Sequence, residues 1–179
     1  MRFWSPQQKY LMKVLSITGC MKKSQVLPVL RRRFEVSPNA IAPICRQLRD
    51  AGYLREFDGI VSAVGPYYEP FIPQALDLIL AILPREPIHF HRELRNSLYA
   101  LGEQSGLLVR VFYISQTQEL FAMPRKEEPP EQKSVLTVLL LDDAAQAAYI
   151  PPHFSCLTAY PDSNGKLTLQ KHGGTEHET

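Results

Sequence analysis

The sequence predicts an α+β chain with two unlike halves. Three observations carry this. Up to Asp50, apolar residues recur at helical spacing in three short segments. An Asp58-Gly59 pair then separates two short β-rich runs, a strong signal for a hairpin. After a helix that is apolar nearly all round, the period drops to two from Leu107 onward. The expected boundaries are 1–66 for a helical unit closed by the hairpin, 67–171 for a small mixed α/β domain and 172–179 for a disordered tail.

The chain has 179 residues, 45% of them hydrophobic, enough for one domain or two small ones. Its longest apolar run, Ala75 to Leu83, is interrupted by Asp77 and too short to span a bilayer. MRFWSPQQKY lacks the apolar core and cleavage site of a signal peptide, so no membrane and a cytoplasmic location are expected. Cys20, Cys45 and Cys156 are far apart and odd in number, with no CxxC pair. They read as small buried hydrophobes, with no disulfide, metal or cofactor expected.

The first helix is read from Ser5 to Thr18. Ser5 caps it, Pro6 fits the first position and Gly19 ends it. The second is read from Ser24 to Phe34, with Pro28 awkward inside it. Arg31-Arg32-Arg33 closes it, either as cations at a helix C-terminus or as forks for phosphate. In the third, Ser37 is the expected cap and Pro38 the first residue. Ile41, Ile44, Cys45 and Leu48 form one face, while Pro43 lies past the first turn and predicts a kink. Gly52 follows the last turn, as a C′ glycine should.

Helix, turn, helix and hairpin in this order are the grammar of a winged helix-turn-helix. RQLRDAGYLREFDGIVSAVG resembles the recognition helix and wing of bacterial winged-helix DNA-binding proteins. The resemblance implies that the third helix enters the major groove. Asn39 and Gln47 are then placed to read adenine and Arg46 guanine. Arg46 and Arg49 are alternatively phosphate clamps, and Asn39 alternatively supports the helix start. Ser37 has the same choice between cap and phosphate. The wing offers Arg55, and its tip, Asp58-Gly59, is acidic. Residues 1–66 hold eleven Lys/Arg against four Asp/Glu, a net of +7, and the rest of the chain nets −5. A basic excess on that segment is the footprint of phosphate contact.

Residues 65–73 hold three prolines among aromatic residues and read as a packed boundary without regular structure. The apolar helix of the second half follows from Ala75. Ile88 to His91 reads as a short strand, and Glu93 to Leu101 as a weak helix or an irregular connection. Leu107 to Ile114 is a strand rich in β-formers, with Glu119 to Met123 as its partner. PRKEEPPEQ, 124–132, is an exposed loop. Ser134 to Leu141 is the most hydrophobic strand and is expected at the centre of a four- to six-stranded sheet. Ala144 to Tyr149 is a short helix or turn. Cys156 to Tyr160 and Lys166 to Gln170 are two more strands.

Catalytic signals are few. No phosphate loop or GxSxG elbow occurs. His89, His91 and Glu93 alternate in HFHRE, which is a weak ligand spacing. A mixed sheet after an apolar helix, with Asp142 ending the central strand, resembles restriction-endonuclease-like domains. These bind magnesium through Asp and Glu beside a lysine. Glu103 or Glu119 is the candidate second acid, but the acid-x-lysine sequence is missing, so the resemblance implies a degenerate sheet with lost chemistry. RQLRDAGYLRE, ALDLILAIL and VLTVLLLDD in this order are also similar to replication-relaxation proteins of mobile genetic elements. That resemblance implies a DNA-binding role in plasmid or conjugative-element maintenance. The expectation is a non-enzymatic protein that binds double-stranded DNA. Arg31, Arg32, Arg33, Ser37, Asn39, Arg46, Gln47, Arg49 and Arg55 would carry the contact, and 67–171 would form a homodimer or hold a protein partner. The alternatives are a protein-interaction module built on the same fold and a metal-dependent nuclease.

Overall fold

Ser5 starts the first helix through a reciprocal pair of hydrogen bonds. Its hydroxyl accepts from the Gln8 N–H at 3.2 Å, and the Gln8 side-chain oxygen accepts from the Ser5 N–H at 2.9 Å. In this computed structural model, which describes residues 4–65, 68–83, 85–116 and 134–173, helix α1 covers Pro6–Thr18. Strand β1 (Cys20–Lys22) follows Gly19, and α2 (Lys23–Arg31) follows it directly. A single 3-10 turn (Pro38–Ala40) leads into α3 (Ile41–Asp50). Strands β2 (Leu54–Phe57) and β3 (Ile60–Ala63) form the expected hairpin. Asp58 and Gly59 both have positive φ, 50° and 73°, the signature of a type I′ turn. β1 pairs antiparallel with β3, so a three-stranded sheet of order β1-β3-β2 closes this half. The sequence reading missed β1, because three residues are too few to show a period.

Helix α4 begins at Phe71 and runs to Ile82, four residues earlier than expected. Pro70 is its N-cap residue and Pro73 lies in its first turn, where a missing N–H costs nothing, so the segment read as irregular is partly helix. Phe71, Ile72, Ala75, Leu76, Leu78 and Ile79 are all buried. Strands β4 (Ile88–His91), β5 (Ser97–Gly102), β6 (Leu108–Ile114), β7 (Val135–Leu141), β8 (Cys156–Pro161) and β9 (Leu167–His172) form one mixed sheet in that order. The β6–β7 and β7–β8 pairs are parallel and the rest antiparallel. The fold is therefore α+β.

β5 corrects the expectation of a weak helix or an irregular connection over Glu93 to Leu101. Tyr99 pairs with His91 on one side and Arg110 on the other, and these long-range ladders override local preference. β7 is central as expected. Val138 and Leu140 face the large core shared with α4, while Leu139 and Leu141 face a second cluster on the other side of the sheet. The 3-10 helix Ala144–Tyr149 lies next to β7. β9 extends through His172, one residue into the expected tail. The strand expected over Glu119 to Met123, the loop 124–132 and the last six residues lie outside the described residues.

One apolar core runs through both halves, from Leu11 and Val26 through Ile72 and Leu76 to Val109 and Val138. Burying each such side chain contributes about 1.5–3 kcal/mol. α4 sits in the middle of it, and Asp77 is its only charged residue. The Gln25 side chain, itself buried, donates to the Asp77 carboxylate and to the Pro73 carbonyl, both at 2.6 Å. It also accepts from the Lys22 N–H at 2.8 Å, and Lys22 Nζ pairs with Asp77 at 2.6 Å. All three cysteines are free and buried, as expected, and burial pushes the Cys156 thiol up to about 11. None of the described helices is long and apolar enough to cross a membrane.

Asp77→Ala strips an acceptor from the buried Gln25 amide. The expected loss is ~1–3 kcal/mol of unfolding free energy in a urea titration, while Glu35→Ala, on an exposed turn, leaves the midpoint unchanged.

Candidate nucleic-acid interface

α3 forms because Ile41, Cys45 and Leu48 share one buried face. Its start differs from the expectation. Ser37 has the extended backbone of a cap residue, but its hydroxyl makes no capping hydrogen bond. The 3-10 turn intervenes, so Pro43 becomes the third residue of α3 and the expected kink has no cause there. The end follows the expectation. Gly52 has φ +79°, its N–H donates to the Arg49 carbonyl at 2.9 Å, and the Tyr53 N–H donates to the Leu48 carbonyl at 3.0 Å. These are the two bonds of a Schellman motif.

Asn39 in the 3-10 turn and Pro43, Arg46 and Asp50 on α3 follow one another along the exposed side. Asn39 and Arg46 are exposed and have no partner among the described residues, and Arg55 on β2 is in the same condition. Gln47 is committed: its side-chain oxygen accepts from the Gln8 amide at 2.7 Å, tying α3 to α1. Arg49 lies 3.8 Å from Asp50 and 3.7 Å from Glu56, and Glu56 also takes Lys23 at 2.5 Å. Such half-exposed pairs are worth ~0–1 kcal/mol, so a phosphate can displace them.

The three consecutive arginines separate. Arg31 is exposed, and its Nε donates to the Val36 carbonyl at 3.1 Å. Arg32 turns the other way. It donates to the carbonyls of Leu80 (3.0 Å), Glu86 (3.2 Å) and Leu83 (3.3 Å), where it closes the C-terminus of α4. Burial lowers its pKa from the ordinary arginine value. Arg33 pairs with Glu103 and lies 5.5 Å from the centre of the Tyr10 ring. Arg32 and Arg33, both expected among the DNA contacts, thus join the two halves of the chain, Arg32 half-buried and Arg33 exposed. Lys23, next to the β2–β3 hairpin, and Arg85, beyond α4, are exposed cations that the sequence reading did not single out. It also did not single out Phe57, 79% exposed beside the hairpin turn. Trp4 packs edge-on against Tyr53, with ring centres 4.6 Å apart.

The other constellations come apart. His89 and His91 share the exposed side of β4, but His89 Nε2 lies 2.8 Å from Glu103 and His91 Nε2 lies 3.6 Å from Glu93. Asp142 accepts from the Tyr113 hydroxyl at 2.7 Å and the Gln116 N–H at 3.2 Å. Asp143 caps the following 3-10 helix. Glu103 follows β5 near the start of β6, whereas Asp142 lies beyond its far end. Seven residues of strand, roughly 20 Å, separate them, too far to share a metal. Glu119 lies outside the described residues. Among the described residues no cluster of three His, Cys, Asp or Glu is arranged to hold a metal ion.

Comparisons of the chain with protein families, with curated proteins and with solved structures find no match.

Arg32→Ala leaves three carbonyls short of a donor and is expected to cost ~1–3 kcal/mol in a thermal or urea melt, whereas Arg46→Ala leaves the melt unchanged. Burial first, and then the hydrogen bond to Asp142, push the Tyr113 hydroxyl up to about 12. The folded chain thus holds this proton after the unfolded chain has lost it. Stability is full below the ordinary tyrosine value and falls as pH rises toward the folded one. In urea melts across that window Tyr113→Phe is expected to flatten the fall; an unchanged slope would remove Tyr113 as its source.

Proposed function

We propose that residues 1–66 are a winged helix-turn-helix that binds double-stranded DNA, and that the chain acts as a cytoplasmic regulator or in maintenance of a plasmid or other mobile element, without chemistry of its own. The observation that carries the reading is the outward row formed by the 3-10 turn and α3, where Asn39 and Arg46 stand exposed with no partner among the described residues. Arg31 and Ser37 flank its start, and Arg55 extends the cationic surface onto the hairpin. In this reading Arg46 and Asn39 meet base edges, while Arg31, Ser37, Arg49 and Arg55 meet phosphates. Residues 67–171 form an α+β domain that dimerises, senses a ligand or holds a partner.

A second reading, a protein-interaction module, is favoured by Phe57. A phenylalanine 79% exposed beside an acidic turn suits an apolar partner better than a phosphate backbone.

Fluorescence anisotropy with a labelled random duplex separates the two. DNA binding is expected to weaken steeply between low and near-physiological salt as counterions are released. Arg46→Ala is expected to cost ~1–3 kcal/mol of binding and Arg55→Ala to reduce the salt slope, both without loss of fold. Absence of binding at low salt, or binding indifferent to both substitutions, would pass the question to Phe57→Ser in a partner pull-down.

A further inference from the structure

A cleft of about 740 Å³ opens where α2, the turn into α3 and the C-terminus of α4 meet. Ligand pockets typically span ~300–1,000 Å³. Half of its lining is apolar: Leu27, Pro28, Phe34, Val36 and Leu80. The rest is mostly cationic. Arg31 and Arg85 line it as exposed residues, Arg32 as a half-buried one, and Glu35 is the one acid among its lining residues. We propose that this cleft binds a small amphipathic anion, a carboxylate carried on an apolar body.

The lining selects for both parts of such a molecule. Arg31 is held at the wall by its bond to the Val36 carbonyl, so its orientation is set before anything binds. That bond uses only Nε, and both Nη groups remain to fork onto a carboxylate. Arg85 is exposed with no partner among the described residues, and the Ser37 hydroxyl is likewise uncommitted. Arg32 spends its donors on backbone carbonyls and adds only its charge. A bare hydrated anion would use the arginines and leave the apolar lining wet. A neutral apolar molecule would cover the apolar lining and leave the Arg31 and Arg85 guanidiniums without a counter-charge. The walls come from both halves of the chain, so an occupant would bridge them. This inference does not need the DNA reading, although it shares Arg31 and Ser37 with it.

The test is isothermal titration of the full chain with 2-naphthoate, with no DNA present. Saturable one-to-one binding is expected. The uncharged 2-naphthylmethanol and inorganic phosphate are each expected to bind about tenfold more weakly or worse. Arg31→Gln with Arg85→Gln is expected to weaken naphthoate by a similar factor. Arg85→Gln alone, at an exposed side chain with no described contact, is expected to keep part of that loss with an unchanged melt. No saturation in the millimolar range would overturn the proposal, as would equal binding of the alcohol or phosphate, or binding indifferent to the arginine substitutions. DNA binding measured separately on the same protein would stand or fall independently.

Discussion

The structure depends on how one apolar helix is seated. α4 is buried against α2 and β1 on one side and against β5 and β6 on the other. A helix in that position needs partners for the polar groups it buries. Asp77 is answered by Gln25 and Lys22, and the last carbonyls are answered by Arg32. Every one of these partners lies on or beside α2. α2 is therefore stitched at both of its ends to the helix that supports the six-stranded sheet.

This seating divides the basic charge of the N-terminal segment. Lys22, Arg32 and Arg33 are paired with Asp77, the end of α4 and Glu103, although Lys22 and Arg33 stay partly exposed. Arg31, Arg46 and Arg55 remain outward. A formal excess of cations thus has two physical meanings within a single stretch of chain. The three successive arginines do not face one way, because α2 ends at Arg31 and the chain turns through Arg32 and Arg33. The middle one meets α4, and its neighbours reach different surfaces.

The same reasoning accounts for Asp142. An acid at the end of a buried central strand has the sequence character of a metal ligand. Here it accepts from a tyrosine and a backbone amide, and its neighbour caps a short helix. An acid in this position secures the exit of β7, and that role needs no second carboxylate.

Local chemistry by itself determined the parts whose partners lie close in sequence. Ser5 with Gln8 started α1, Gly52 ended α3 and Asp58-Gly59 turned the hairpin, because each motif satisfies its own backbone within a few residues. Strong periodicity likewise placed β6, β7, β8 and β9 to within a residue or two. Among the candidate interface residues, Asn39, Arg46 and Arg55 were legible as exposed polar positions off an apolar stripe. Only the tertiary structure decided β1 and β5, whose existence rests on ladders with strands distant in the chain. It alone decided that Pro43 and Pro73 are harmless, since that depends on where a helix begins. It also decided which arginines are free, because a guanidinium's partner is set by what α4 brings beside it, and sequence spacing carries no trace of that contact.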